Sequence, residues 1–172
     1  MVTAVQDMLD QGATSLIFDV RDNPGGFLVD AVEIADLFMP ESVVLFQKSN
    51  QGLERTYEAD SGDIGEEIPM VLLINSGSAS ASELIAGAFR DTGRATIIGT
   101  QSFGKGSVQN LYDLSDGSEL RVTISRFYSP NDIVIDKVGV SPDIIVDMPD
   151  GALFRSEDDL QLQTAIDFLE NR

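Results

Sequence analysis

Apolar residues in this chain recur at two periods, and the switches between them mark its elements. Val2, Val5, Met8 and Leu9 keep helical spacing and Gly12 follows as a stop, which predicts a helix over Val2 to Leu9. Ser15 to Val20 reads as a short buried strand, and Asn23-Pro-Gly-Gly is a strong turn signal. Leu28, Ala31, Val32, Ala35 and Leu37 or Phe38 then form one face of a helix over Phe27 to Phe38, which Pro40 ends. Val43 to Phe46 is predicted as a strand, Leu53 to Ala59 as a peripheral strand, and Asp60 to Glu67 as an acidic loop.

The second half repeats the alternation. Met70 to Asn75 is the most apolar strand, a loop of small residues runs from Ser76 to Ser82, and Glu83 to Asp91 is a helix. Ala95 to Thr100 is a strand, followed by a glycine-rich loop from Gln101 to Ser107. Val108 to Leu114 and Leu120 to Tyr128 flank Ser115-Asp116-Gly117 as a hairpin. Ile133 to Ile135 and Ile144 to Val146 are short strands, and Leu160 to Leu169 closes the chain as a helix. Strands alternating with helices through the first hundred residues imply βαβ crossovers and a mainly parallel sheet. The later strands are expected to be antiparallel. No internal repeat is visible.

Composition narrows the chemistry. The 172 residues, 42% of them apolar, suit one domain with one sizeable core. No apolar run reaches the ~18 residues of a membrane span, and the N-terminus lacks the basic start of a signal peptide. A formal charge of -18 repels phosphate backbones, so nucleic acid is not an expected partner. The sequence has no cysteine and no histidine. Thiol catalysis, cysteine or histidine metal sites and a Ser-His-Asp triad are therefore excluded, and no metal or other cofactor is called for. A hydrolase built on this chain must take its base from lysine, carboxylates or tyrosine.

Three loops carry candidate chemistry. Ser80 and Glu83 match a capping box, which puts Ser80 at a helix N-terminus, where free N–H groups and the helix dipole favour a developing oxyanion. Lys105 lies in Phe103-Gly-Lys-Gly, after a strand able to lie beside the one leading to Ser80. A lysine base must be neutral, which requires an apolar, desolvated pocket. Asn23-Pro-Gly-Gly follows a third such strand and offers further N–H groups. Each loop taken alone also has a plain reading: a helix cap, a solvated lysine, a helix-initiating turn.

Together these residues resemble the carboxyl-terminal processing proteases, also called tail-specific proteases. Asp19 to Gly26 (DVRDNPGG) resembles that family's D-x-R-x-N-P-G-G, and Asn75 to Asp91 resembles its nucleophile block. Gly99 to Gln109 resembles its lysine block, and Val138 to Val146 its G-[IV]-x-P-D segment, followed by a helix with Asp159, Gln161 and Leu162. The resemblance implies Ser80 as nucleophile and Lys105, 25 residues on, as base. It further implies Gln109 as the residue orienting the lysine, and the N–H groups of Gly26 and Ala81 as the oxyanion hole. Ser82 and Glu83 would shape the site without reacting, and Asp19 and Arg21 would brace the turn. The implied fold is α/β, a mainly parallel βαβ core of the ClpP/crotonase-like type with added antiparallel strands and a C-terminal helix. The implied substrate is a polypeptide near its carboxyl terminus, the implied location extracytoplasmic, and a homo-oligomer is left open. Members carry a PDZ domain ahead of this core and a strand before its first helix. Residues 1–172 contain neither, so they read as a single peptidase core fragment.

Four other readings are weaker. Gly99 to Lys105 nearly matches a phosphate-binding loop, but Gly106 stands where Ser or Thr should bind metal, and a strand pattern follows. Ser102 to Lys105 matches S-x-x-K, yet glycines flank the lysine. A crotonase-like acyl-CoA enzyme would leave the pairing of Ser80 with Lys105 unexplained. A peptide-binding relative that kept the fold without the activity would keep every block.

Overall fold

The computed structural model describes residues 1–171. Its helices are α1 (Val2–Asp10), α2 (Leu28–Phe38), α3 (Ala81–Thr92) and α4 (Leu160–Glu170). Its strands are β1 (Leu16–Asp19), β2 (Ser42–Ser49), β3 (Gly52–Ala59), β4 (Met70–Ile74), β5 (Thr96–Gly99), β6 (Ser107–Asp113), β7 (Glu119–Tyr128) and β8 (Ile144–Ile145). The predicted mixed α/β architecture is present, with both sheet types and the C-terminal helix.

One sheet has the order β1-β4-β5-β8 and is parallel throughout. Strand β4 explains its depth. All five residues of Met70–Ile74 are buried, and they alternate between two cores. Met70, Leu72 and Ile74 pack with α2 and α3 residues such as Ala31, Ala35, Leu84, Ala88 and Phe89. Val71 and Leu73 pack with Ile98 and Ala165 on the face covered by α4. A strand covered on both faces reads as a continuous apolar run, which is how this segment appears in sequence. Because β1, β4 and β5 are adjacent and parallel, the loops following them leave the same sheet edge, where open α/β sheets place their sites.

The second sheet, β3-β2-β7-β6, is antiparallel. Three expectations change in the sheets. Strands β2 and β3 do not extend the parallel sheet: a short connection returns the chain beside itself as a hairpin, and no helix separates them to make a crossover. Conversely β8, expected to be antiparallel, runs parallel to β5 through Ile98 and Ile144. Ile133 to Ile135 forms no strand; it makes a single bridge, Tyr128 to Val134. Positive φ at Asp132 (64°) and Lys137 (63°) bends the backbone on both sides of it. Among the described residues no helix is long and apolar enough to cross a membrane.

Helix α4 is bound to the end of β1 through Arg21, whose side chain is fully buried. Its Nε and Nη2 donate to Asp19 at 2.9 and 2.8 Å. Its Nη1 and Nη2 donate to Asp159 at 2.8 and 2.9 Å, and Nη1 also donates to Gln161 at 3.1 Å. All five guanidinium hydrogens are thereby used. The Phe154 ring lies 4.2 Å from its central carbon. Asp159 in turn caps α4, accepting from Leu162 N–H at 3.0 Å. Burial alone would push the Asp159 carboxyl up, but the bond from Arg21 and those from the Arg155 and Leu162 N–H groups hold it down at about 2.

Asp159→Ala leaves Arg21 buried with one partner fewer, and breaking such a pair costs ~3–5 kcal/mol. Because the Asp159 pKa is depressed in the folded state, its contribution is present above the ordinary carboxylate value and lost as pH falls through about 2. Urea unfolding of the wild type between pH 5 and pH 2 is expected to show this loss, and Asp159→Asn is expected to lack it.

Candidate active site

Ser80 ends the loop from β4 to α3 with φ 54° and ψ −119°. A non-glycine residue rarely adopts this conformation, which costs on the order of 1–3 kcal/mol and needs surrounding structure to hold it. That structure is a ring of short hydrogen bonds. The Ser80 N–H donates to Glu83 Oε2 at 2.9 Å, while its carbonyl accepts from the N–H groups of Glu83 and Leu84. Ser78, fully buried, donates its hydroxyl hydrogen to the Val20 carbonyl at 2.7 Å and accepts from Asn75 N–H at 3.0 Å. Such a strand-to-helix elbow presents its residue above the sheet edge.

The Asn23-Pro-Gly-Gly turn packs onto this elbow. Asn23 accepts on its carbonyl from Ala79 N–H at 3.0 Å and from the Ser82 hydroxyl at 3.1 Å. Its side chain accepts from Gly25 N–H at 2.9 Å. Gly25 has φ +93°, and a Cβ there would lie 2.5 Å from the Ala79 oxygen and 2.7 Å from the Ala81 nitrogen. Only glycine lets the two backbones meet. The N–H groups of Gly26 and Ala81, one from each loop, have no intramolecular acceptor among the described residues. Both residues line a cavity of about 250 Å³ together with Ser80.

The lysine loop is held by the same carboxylate. Lys105 N–H donates to Glu83 Oε2 at 2.7 Å, the oxygen that already accepts from Ser80 N–H. Gly104 N–H and the Ser102 hydroxyl each donate to Oε1 at 2.6 Å. Ser102 accepts from Val140 N–H at 2.7 Å, so its one hydrogen is committed to Glu83. The Val138 to Val146 block thus clamps the lysine loop from outside. Phe103 N–H donates to the Ser78 carbonyl at 3.0 Å, and Lys137 N–H to the Gly104 carbonyl at 2.8 Å.

Four of the five sequence-chosen residues therefore gather at one edge: Ser80, Ala81 and Gly26 around the cavity, and Lys105 through its backbone. The Lys105 side chain is exposed, and its ammonium has neither hydrogen bond nor ion pair among the described residues. The apolar enclosure that a neutral lysine requires is not supplied by these residues. Gln109 sits exposed on β6 and its side-chain NH₂ faces Thr123 Oγ1 at 3.4 Å. Residues four apart stack along a helix, but an extended chain carries them roughly 13 Å apart.

Glu83 was legible in the sequence only as half of a helix cap and as a flank. Its bonds to Ser102, Gly104 and Lys105 join residues about twenty positions apart, and no local pattern announces them. The walls of the cavity, Leu28, Leu84, Val108, Phe127 and Gln47, come from five different elements and were equally hidden.

The model for peptidase family S41 matches residues 1–146. This chain belongs to peptidase family S41. It is 40% identical over 168 residues to a carboxyl-terminal-processing protease of Synechocystis sp., a match covering 96% of this chain and 39% of that protein. It is 40% identical over 144 residues to the chloroplastic C-terminal processing peptidase of Tetradesmus obliquus, covering 84% and 31%. The solved photosystem II D1 C-terminal processing protease superposes with a TM-score of 0.78 at 39% identity, over 85% of this chain and 39% of that one. The chain thus spans between about a third and two-fifths of the length of these relatives.

Glu83→Ala removes the shared acceptor and leaves four donors without it; each unmet buried donor costs ~1–3 kcal/mol. Chemical unfolding is expected to register a loss of several kcal/mol. Glu83→Gln keeps the volume but brings its own hydrogens against at least one of the donors, and is expected to recover less than half of that loss. Gly25→Ala is expected to destabilise by ~1–3 kcal/mol from backbone strain, measured the same way.

Proposed function

We propose that this chain is the catalytic core of a serine endopeptidase that cuts polypeptides near their carboxyl termini, with Ser80 as nucleophile and Lys105 as base. The observation that carries this reading is the Glu83 carboxylate oxygen shared by the Ser80 and Lys105 N–H groups. It makes neighbours of two residues 25 positions apart.

In this reading the neutral Lys105 amine takes the proton of the Ser80 hydroxyl as its oxygen attacks the peptide carbonyl carbon. The N–H groups of Gly26 and Ala81 receive the oxyanion, each donor being worth roughly 10²–10³ in rate. Collapse breaks the C–N bond, and Lys105 returns the proton to the leaving amine. Water, deprotonated by Lys105, then attacks the acyl carbon; the bond from that carbon to Ser80 Oγ breaks, Lys105 returns the proton to Ser80 Oγ, and the carboxylic product leaves. Lys105 is exposed here, so in this reading the bound polypeptide covers it in the productive complex and supplies the apolar surroundings that a neutral amine requires. In this reading Gln109 is the residue that orients the Lys105 amine. The cavity beside Ser80 takes the side chain of the residue whose carbonyl is attacked. Residues 1–172 act as one peptidase core, joined in the full-length protein to a PDZ domain that captures substrate. The protein works outside the cytoplasm, and a homo-oligomer is compatible with this reading.

Ser80→Ala and Lys105→Ala are each expected to lower cleavage of an unstructured polypeptide by on the order of 10³ or more, with melting unchanged. A fluorophosphonate should label Ser80, located by mass spectrometry, in the wild type and not in Ser80→Ala. A folded Lys105→Ala protein with undiminished cleavage would end the assignment of the base.

A further inference from the structure

The cavity beside Ser80 has a mostly apolar wall of Leu28, Leu84, Val108 and Phe127, with the small Ser107 beside them and no charged residue among its lining. The one long polar side chain in it is Gln47, on β2. Gln47 does not hang free. Its NH₂ donates to Ser125 Oγ at 2.8 Å and to Glu54 Oε2 at 3.0 Å, and its carbonyl oxygen accepts from the Tyr57 hydroxyl at 3.1 Å. A carboxylate only accepts, so Glu54 fixes which way the amide points. Ser125 is buried, which anchors the other hydrogen inside the sheet. Both amide hydrogens are committed, and none is left for a ligand.

We infer that Gln47 is a specificity-determining residue, holding the cavity beside Ser80 electrically neutral and so selecting an uncharged aliphatic side chain on the acyl side of the scissile bond. This rests on the reading of Ser80 as nucleophile, because the cavity also contains the two N–H groups assigned to the oxyanion. The residue that carries the attacked carbonyl must place its side chain within reach of both. A charged side chain entering there loses its water and meets apolar walls with no opposite charge among the lining residues to replace it.

The test uses the full-length protein and a peptide series differing only in that residue: Leu, Asn, Lys and Asp. The readout is the ratio of kcat/KM values within each variant, which cancels any loss of active enzyme. The wild type is expected to favour Leu over Lys and over Asp by at least tenfold. Gln47→Glu should reduce the Leu-to-Lys ratio at least tenfold, and Gln47→Leu should not reduce it. Should Gln47→Glu not fold, Gln47→Leu reads the proposal alone by raising the Leu-to-Asn ratio at least fivefold. Ratios within threefold of wild type in both variants overturn the inference, as does an equal fall of the Leu-to-Lys ratio in both. Failure of the underlying reading looks different: the wild type would not be labelled at Ser80 by a fluorophosphonate.

Discussion

One buried carboxylate holds the site together. Glu83 has no solvent exposure and accepts from Ser80, Ser102, Gly104 and Lys105. Removing an anion from water is costly unless hydrogen bonds replace its hydration. Here four donors do so, three of them backbone N–H groups at the ends of two different strands. The cost of burial therefore acts as a constraint: Glu83 is stable only where the β4 and β5 loops converge on it. The unusual backbone at Ser80 persists under the same constraint, because its N–H is one of those four donors.

The sheet makes that convergence reachable. With β1, β4 and β5 parallel and adjacent, three loops leave one edge, and the N–H groups at their tips need acceptors there. They find them in one another: Ala79 N–H in the Asn23 carbonyl, Phe103 N–H in the Ser78 carbonyl, and the Gly104 and Lys105 N–H groups in the Glu83 carboxylate. The N–H groups of Gly26 and Ala81 have no acceptor among the described residues, and both residues line the cavity at Ser80. An unspent pair of donors beside a strained serine is the arrangement an acyl-transfer site needs. Membership of peptidase family S41 and the superposition on a D1 C-terminal processing protease agree with it.

The second sheet and α4 have separate tasks. Strands β2, β6 and β7 supply the cavity wall through Gln47, Val108 and Phe127, so the residues that would contact a substrate side chain lie on a different layer from those that would react with it. Arg21 binds α4 to the end of β1, just before the Asn23 turn, and fixes the root of the loop that carries Gly26.

The sequence by itself determined the elements and the blocks. Every helix and every strand was legible within three residues, with one strand too many at Ile133 to Ile135, because burial period is a local property: Met70 to Ile74 on both faces, Leu28 to Phe38 on one stripe. The absence of histidine, the spacing of Ser80 and Lys105 and the Asn23-Pro-Gly-Gly turn were also local facts. The tertiary structure alone decided what each element faces. It moved β2 and β3 into a second sheet, set β8 parallel, left Lys105 exposed and turned Gln109 toward Thr123. It also made Glu83 the centre of the site and Gln47 part of a cavity wall. Those outcomes depend on hydrogen bonds and packing between residues tens of positions apart, and pairing of that kind leaves no period in the chain.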